Sequence, residues 1–334
     1  MRELLVATPL KYSAVSGAHQ FLNGVSIRAL SSILWETSAV KGFISASLRE
    51  KLSEARYWLC AADNYEDGSN DAGHELYHKA RCAAWAAQII CPSGARHIFL
   101  KLQNTDSGYD IIGTECPQEM CRSPLVGRLI KLEDRGVTKD FDAVYAGVMR
   151  AFAEKVVRIQ NPILLVEQGM QTGNPYLAEM MFVMGLDMLF MAGDIDSFMK
   201  RLGGFLGLDS FVFPELSVMG TGIQPSTIVR DVLYEVYGLR NIIAHGQEIP
   251  ESPYRKPIDL VGVNGERINY VDYARANLLM ECALFMVTTT LRRIFTEGLI
   301  DEVKAPEKWR HKLMLYEHRY KDANGPDTSK RRGR

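Results

Sequence analysis

The chain has 334 residues, 47% of them apolar and 24% charged, with 39 Lys and Arg against 40 Asp and Glu. That balance is ordinary for a globular protein of one large domain or two average ones, and it excludes a disordered or fibrous chain. A formal charge of -1 also excludes indiscriminate coating of nucleic acid, so any such contact must rest on a local patch or a small footprint.

At the N-terminus, Glu3 and Lys11 interrupt any apolar core of a leader, so the expectation is a cytoplasmic protein. The most apolar run, Met180 to Gly193, contains Asp187 and is too short to cross a bilayer, so no membrane partner is expected. The six cysteines, Cys60, Cys82, Cys91, Cys116, Cys121 and Cys282, read as reduced and mostly buried thiols. Cys116 and Cys121 lack a second pair at zinc-ribbon spacing.

In chain order, Ser47 to Ala62 has a helical charge pattern with Leu48, Leu52, Ala55 and Leu59 on one side. After a polar loop, Gly73 to Ile90 reads as an alanine-rich helix stopped by Pro92 and Gly94. HIFLKL (97–102) and YDIIGT (109–114) are β-favouring runs around a turn cluster and predict a hairpin. Helical periodicity returns from Asp140 to Val157, and the breaker-flanked stretch Asn161 to Asn174 reads as a domain boundary. Pro175 to Gly193 predicts an apolar helix, Asp194 caps another to about Phe205, and Gly207 to Gly222 reads as loop. Pro225 or Ser226 opens the next helix, and Val271 to Phe295 is the last long one. GVNG (262–265) reads as a turn, since no lysine and helix follow as a phosphate loop requires.

Two motifs carry chemistry. His74, Glu75, Leu76, Tyr77 and His78 spell HExxH, which puts two imidazoles on one helix face with Glu75 as a general base, the pattern of a zinc metalloprotease. Against it, the helix begins at the motif, Lys79 and Arg81 follow, and the nearest downstream acid, Glu115, falls in an expected loop. The other motif is YEVYGLRNIIAHG, Tyr234 to Gly246. Val229, Val232, Leu233, Val236, Leu239 and Ile243 form one apolar helix face, while Asp231, Tyr234, Asn241 and His245 lie opposite. Gly246 and Pro250 then end the helix and leave His245 at its C-terminus.

Arg240, then four residues, then His245 near a helix end resembles the signature of the HEPN superfamily, and the flanking LYEVYGLRNIIAHG resembles its Apea-like branch. GLDMLFMAGDIDSFMKRLGGFLG resembles the family's earlier helix pair, with Asp187 at a position that often carries an acid, and the resemblance covers Pro175 to Thr296. It implies a compact helical bundle, a homodimer that joins two signatures in one cleft, and RNA cleavage without a metal cofactor. Such cleavage needs a proton-transfer group and a cation for the charge growing on phosphorus, which His245 and Arg240 supply by type. Five helical positions turn through about 140°, so a single copy leaves the two apart. Asn241 shares a face with His245 and is placed to orient the imidazole or bind phosphate. Within the family, a non-catalytic dimerisation or nucleotide-binding scaffold remains the alternative.

The fold expectation is mainly α: an α+β N-terminal region with a small hairpin over 1–160, a HEPN-like four-helix bundle over 161–300, and a basic C-terminal extension over 301–334. In that extension Lys308, Arg310, Lys312, Arg319 and Lys321 alternate with Trp309, Tyr316 and Tyr320, either a solvated helix face or a surface that holds RNA by charge and stacking. The resemblance places the protein among toxin or antiviral-defence effectors, with the N-terminal region answering to a regulatory partner.

Overall fold

The computed structural model describes residues 2–10, 18–30, 33–35, 44–65, 71–92, 98–115, 137–172, 174–210, 223–225, 229–247, 259–262, 267–269 and 272–324. They fall into two compact units, one running through Arg150 and one beginning at Ala151. The chain is mostly helical, with an antiparallel sheet near its N-terminus.

The first unit is built on six strands: β1 (Arg2–Pro9), β2 (His19–Gln20), β3 (Val25–Arg28), β4 (Trp58–Tyr65), β5 (Phe99–Thr105) and β6 (Gly108–Glu115). They run in the order β2-β3-β4-β1-β5-β6 with every pairing antiparallel. Inside the sheet, β1 pairs Leu5 with Ala62 on one side and with Leu102 on the other. Leu4, Leu5, Val6 and Ala7 are all buried, which is why this strand lacks the alternation that announces a half-exposed one. Among the described residues three α-helices belong here: α1 (Ala46–Ser53), α2 (Asp71–Ile90), and most of α3 (Val137–Ala153). The alanines of α2 bring it close against β4 and β1.

The expected hairpin is present as β5 and β6, turning through Asp106 and Ser107, but it is the edge of a much larger sheet. Ser47 to Ala62 is not one helix. It ends at Ser53, whose hydroxyl turns back to the Glu50 carbonyl at 2.7 Å, and the chain re-enters the sheet at Trp58. Trp58, Leu59, Cys60 and Ala61 are buried in succession, so the spacing of Leu48, Leu52, Ala55 and Leu59 mimicked a helix across two elements.

The second unit contains α4 (Val157–Gln171), α5 (Pro175–Phe190), α6 (Ile195–Leu206), α7 (Val229–Ala244), α8 (Asp272–Thr296), α9 (Ile300–Lys304) and α10 (Pro306–Asn324). A small antiparallel sheet joins β7 (Ile223–Pro225), β8 (Asp259–Gly262) and β9 (Arg267–Asn269). The most apolar helix, α5, packs against α4, α7 and α8. It begins as its sequence dictates: Pro175 occupies the first turn and the Asn174 side chain accepts from the Tyr176 and Leu177 amides at 3.0 and 3.3 Å. Asp194 caps α6 as expected, accepting from the Ser197 amide at 2.8 Å.

Three readings of this half are corrected. Asn161 to Gln171 is helix rather than boundary, and α4 runs through a buried Pro162; the burial of Ile159, Pro162, Ile163 and Val166 offsets the lost hydrogen bond. Pro225 closes β7 instead of opening the signature helix, which starts at Val229. In α10, Trp309, Leu313 and Tyr316 are buried and the helix packs on α6, the Trp309 indole donating to the Leu189 carbonyl at 2.5 Å. Those two aromatics are therefore structural and not free to stack on RNA. Residues 325–334, with the basic tail, lie outside the described residues, as do Cys116, Cys121 and most of the GVNG turn. Among the described residues no single helix is long and apolar enough to cross a membrane; only α5 and α6 together meet that measure, and they are bent at 79°.

Candidate functional site

One apolar face fixes α7. Val229, Val232, Leu233, Val236 and Leu239 are buried, and the helix packs on α5, α6 and α8. Tyr237 joins that face with its ring 4.6 Å from the Phe198 ring of α6. The helix ends as the sequence predicts: Gly246 adopts φ 62°, its amide donates to the Ile243 carbonyl at 3.1 Å, and the Gln247 amide reaches back to the Ile242 carbonyl at 3.0 Å. This paired reach-back, a Schellman end, favours a residue without a Cβ at the left-handed position. His245, the residue just before that glycine, is exposed.

Arg240 turns the other way, toward α5. One Nη stands 3.1 Å from Asp187 Oδ2, the other donates to Asn241 Oδ1 at 2.8 Å, and the guanidinium carbon lies 5.4 Å from the centre of the Tyr237 ring. The fold thus brings Arg240, Asn241 and Asp187 together. It does not bring the His245 imidazole to them: among the described residues that side chain makes no hydrogen bond or ion pair. Asn241 was expected to orient the imidazole or bind phosphate; its amide oxygen accepts from Arg240.

Burial sets the electrostatics. Asp187 has a side chain only 12% exposed, and burial pushes its carboxyl up to about 6 although Arg240 pulls the other way. Two turns earlier on α5, Glu179 is fully buried, and burial pushes it well above the carboxylate range against the same opposing pull from Arg240. Both Glu179 oxygens, Asp187 Oδ1 and Arg240 Nε are buried without a hydrogen-bond partner among the described residues. One guanidinium can balance one buried carboxylate, so the enclosed Glu179 is the group that keeps its proton. The Tyr237 hydroxyl is raised as well, by burial first and then by Asp187. Glu179 was missed in the sequence, where its only signal was a carboxylate inside a helix apolar on every side (PYLAEMMFVMGLDMLF).

The HExxH residues lie in the first turns of α2. His74 and Glu75 are exposed in the early part of α2, and Glu75 pairs with Lys79 at 2.9 Å. The half-buried His78 has Nε2 3.7 Å from Cys82 Sγ, and its pKa is lowered by burial first, then by His74 and Arg81. Glu115, the downstream acid, sits at the exposed end of β6 rather than in a loop. Among the described residues no group of three or more His, Cys, Asp or Glu is placed to hold a metal ion.

Compared with family models, curated proteins and solved structures, the chain finds no match.

Proposed function

We infer that this protein is a metal-independent endoribonuclease of HEPN type, acting on single-stranded RNA through Arg240 and His245 and working as a homodimer of its helical domain, α5 to α8. The observation that carries the reading is the Arg240 guanidinium, held by Asp187, Asn241 and the Tyr237 ring five residues before an exposed His245 at the closed end of the same helix. A positioned cation and a solvent-facing imidazole are the two groups this chemistry requires. The substrate's 2′-oxygen attacks phosphorus while the bond to the 5′-oxygen breaks; His245 exchanges the proton and Arg240 meets the charge on the phosphoryl oxygens. The product ends are a 2′,3′-cyclic phosphate and a 5′-hydroxyl. Because Arg240 and His245 diverge on one helix, the second copy completes the cleft. Asp187 holds Arg240 in place and competes with phosphate for it, while Asn241 fixes the other side of the fork. In this reading the protein is a cytoplasmic toxin or antiviral-defence effector, and the N-terminal unit answers to a regulatory partner.

The same ion pair favours a second reading. A guanidinium already paired with Asp187 suits a HEPN module that dimerises or binds nucleotide without cutting. Arg240→Ala and Arg240→Lys separate the two. If the guanidinium serves the transition state, Arg240→Ala loses about 100-fold or more in cleavage rate, and Arg240→Lys recovers little of it because lysine lacks the planar fork. Wild-type protein that leaves single-stranded RNA uncut in EDTA, while remaining a dimer, supports the scaffold.

A further inference from the structure

We propose that the outer stripe of α7 is a base-stacking subsite for unpaired RNA, with one nucleobase lying on Tyr234 and the strand passing close over the bare backbone at Gly238 toward Asn241 and His245. This subsite deepens the endoribonuclease reading and rests on it.

Tyr234, Gly238, Asn241 and His245 follow one another at steps of four, three and four, which keeps them within about 60° of one another around the helix. The stripe runs about 16 Å along the axis and ends at the candidate proton-transfer group. Tyr234 is 53% exposed, so an aromatic ring that normally contributes to a core is presented outward. Stacking on such a ring is open to any unpaired base, since every base has a π face.

Gly238 supplies the independent observation. Glycine inside a helix weakens it, and it persists where another group must come close. The other helical glycines of this unit have such a group inside the chain. A Cβ at Gly169 would strike the Phe182 ring, one at Gly185 would sit in ordinary contact with Pro162 and Val287, and those at Gly203 and Gly204 would meet Tyr320 and the Tyr316 backbone. At Gly238, among the described residues, nothing lies within 4 Å of a built Cβ. Among the described residues, then, no internal packing fills the notch in α7.

The lining decides between RNA and a second copy of the chain. A helix packed here would need an apolar ridge to receive it, whereas the exposed positions along the stripe are Tyr234 and His245, followed by Gln247, with Gly238 and Asn241 half-buried between them. Arg240, whose buried Nε has no partner among the described residues, stands beside Asn241. An aromatic platform, a stretch of bare backbone and polar donors at the far end suit a nucleotide better than an apolar helix.

The test measures fluorescence anisotropy of a labelled single-stranded oligoadenylate, and of the same backbone made abasic, with protein carrying His245→Ala to silence cleavage. The intact oligonucleotide should bind roughly 10-fold more tightly than the abasic one. Adding Tyr234→Ala should erase that gap, and Tyr234→Phe should keep it. Gly238→Leu should weaken binding of both probes with Tm unchanged or higher, a result that a merely structural glycine would not give. If protein with native Tyr234 and Gly238 cuts RNA in a His245-dependent manner, yet Tyr234→Ala and Gly238→Leu bind and cut as it does, the subsite is wrong and the nuclease reading stands. If these two variants dissociate a dimer without altering RNA binding, the stripe is a protein interface and the proposal fails. If the native protein neither binds nor cuts RNA, both readings fall together.

Discussion

At the residue scale the informative groups are the two carboxyls that face one arginine. Asp187 stands at about 6 against an ordinary 3.8, and Glu179 is displaced in the same direction. A folded-state pKa above the unfolded one means that the folded chain binds more protons, so stability is full below the unfolded value and is lost as pH rises through the window up to the folded one. Glutamine copies a protonated carboxyl, so Glu179→Gln should match wild type near the ordinary carboxylate range and gain on it as pH climbs. Urea denaturation of both proteins across that range checks this, and a gap that stays constant with pH would remove Glu179 as a titrating group. The positions of Arg240, Asn241 and His245 near a helix end were legible in the sequence from helix period and the closing glycine, while the roles proposed for them come from the HEPN resemblance. The Arg240 to Asp187 contact was not legible, because it depends on how α5 meets α7. Glu179 was illegible for a different reason: its apolar surroundings make it important, and apolar surroundings in a sequence look like core.

At the element scale, helix ends that carry their own caps could be read, whereas the start of α7 and the buried strand β4 could not. Asp194 before α6 and Gly246 after α7 act through backbone groups of their own turn, so local sequence is sufficient. β4 failed because a strand buried on both faces has no alternation, and Leu59 happened to continue a helical step. Pro162 misled in the opposite sense, since tertiary burial carried α4 through it. Substituting Gly246 by alanine puts a Cβ on a residue at φ 62° and should cost about 1 kcal/mol, seen as a lower urea midpoint at unchanged slope. Loosening that end also releases His245, so cleavage should fall by more than the lost stability explains at temperatures where the variant is fully folded.

At the scale of the whole molecule, the mostly helical character and the β5 to β6 hairpin were legible, whereas the six-stranded sheet was not. Its inner strand, β1, is an eight-residue run whose meaning comes from partners far along the chain, β4 and β5. Function at this scale turns on whether the end of α7 is chemically competent. Purified wild-type protein and His245→Ala, incubated with single-stranded RNA in excess EDTA and analysed for the termini they leave, give the most direct answer. Cleavage by wild type leaving 2′,3′-cyclic phosphates, reduced about 100-fold or more by His245→Ala, is the predicted result. Equal cleavage by the two proteins, or cleavage that stops when metal is removed, would contradict the account.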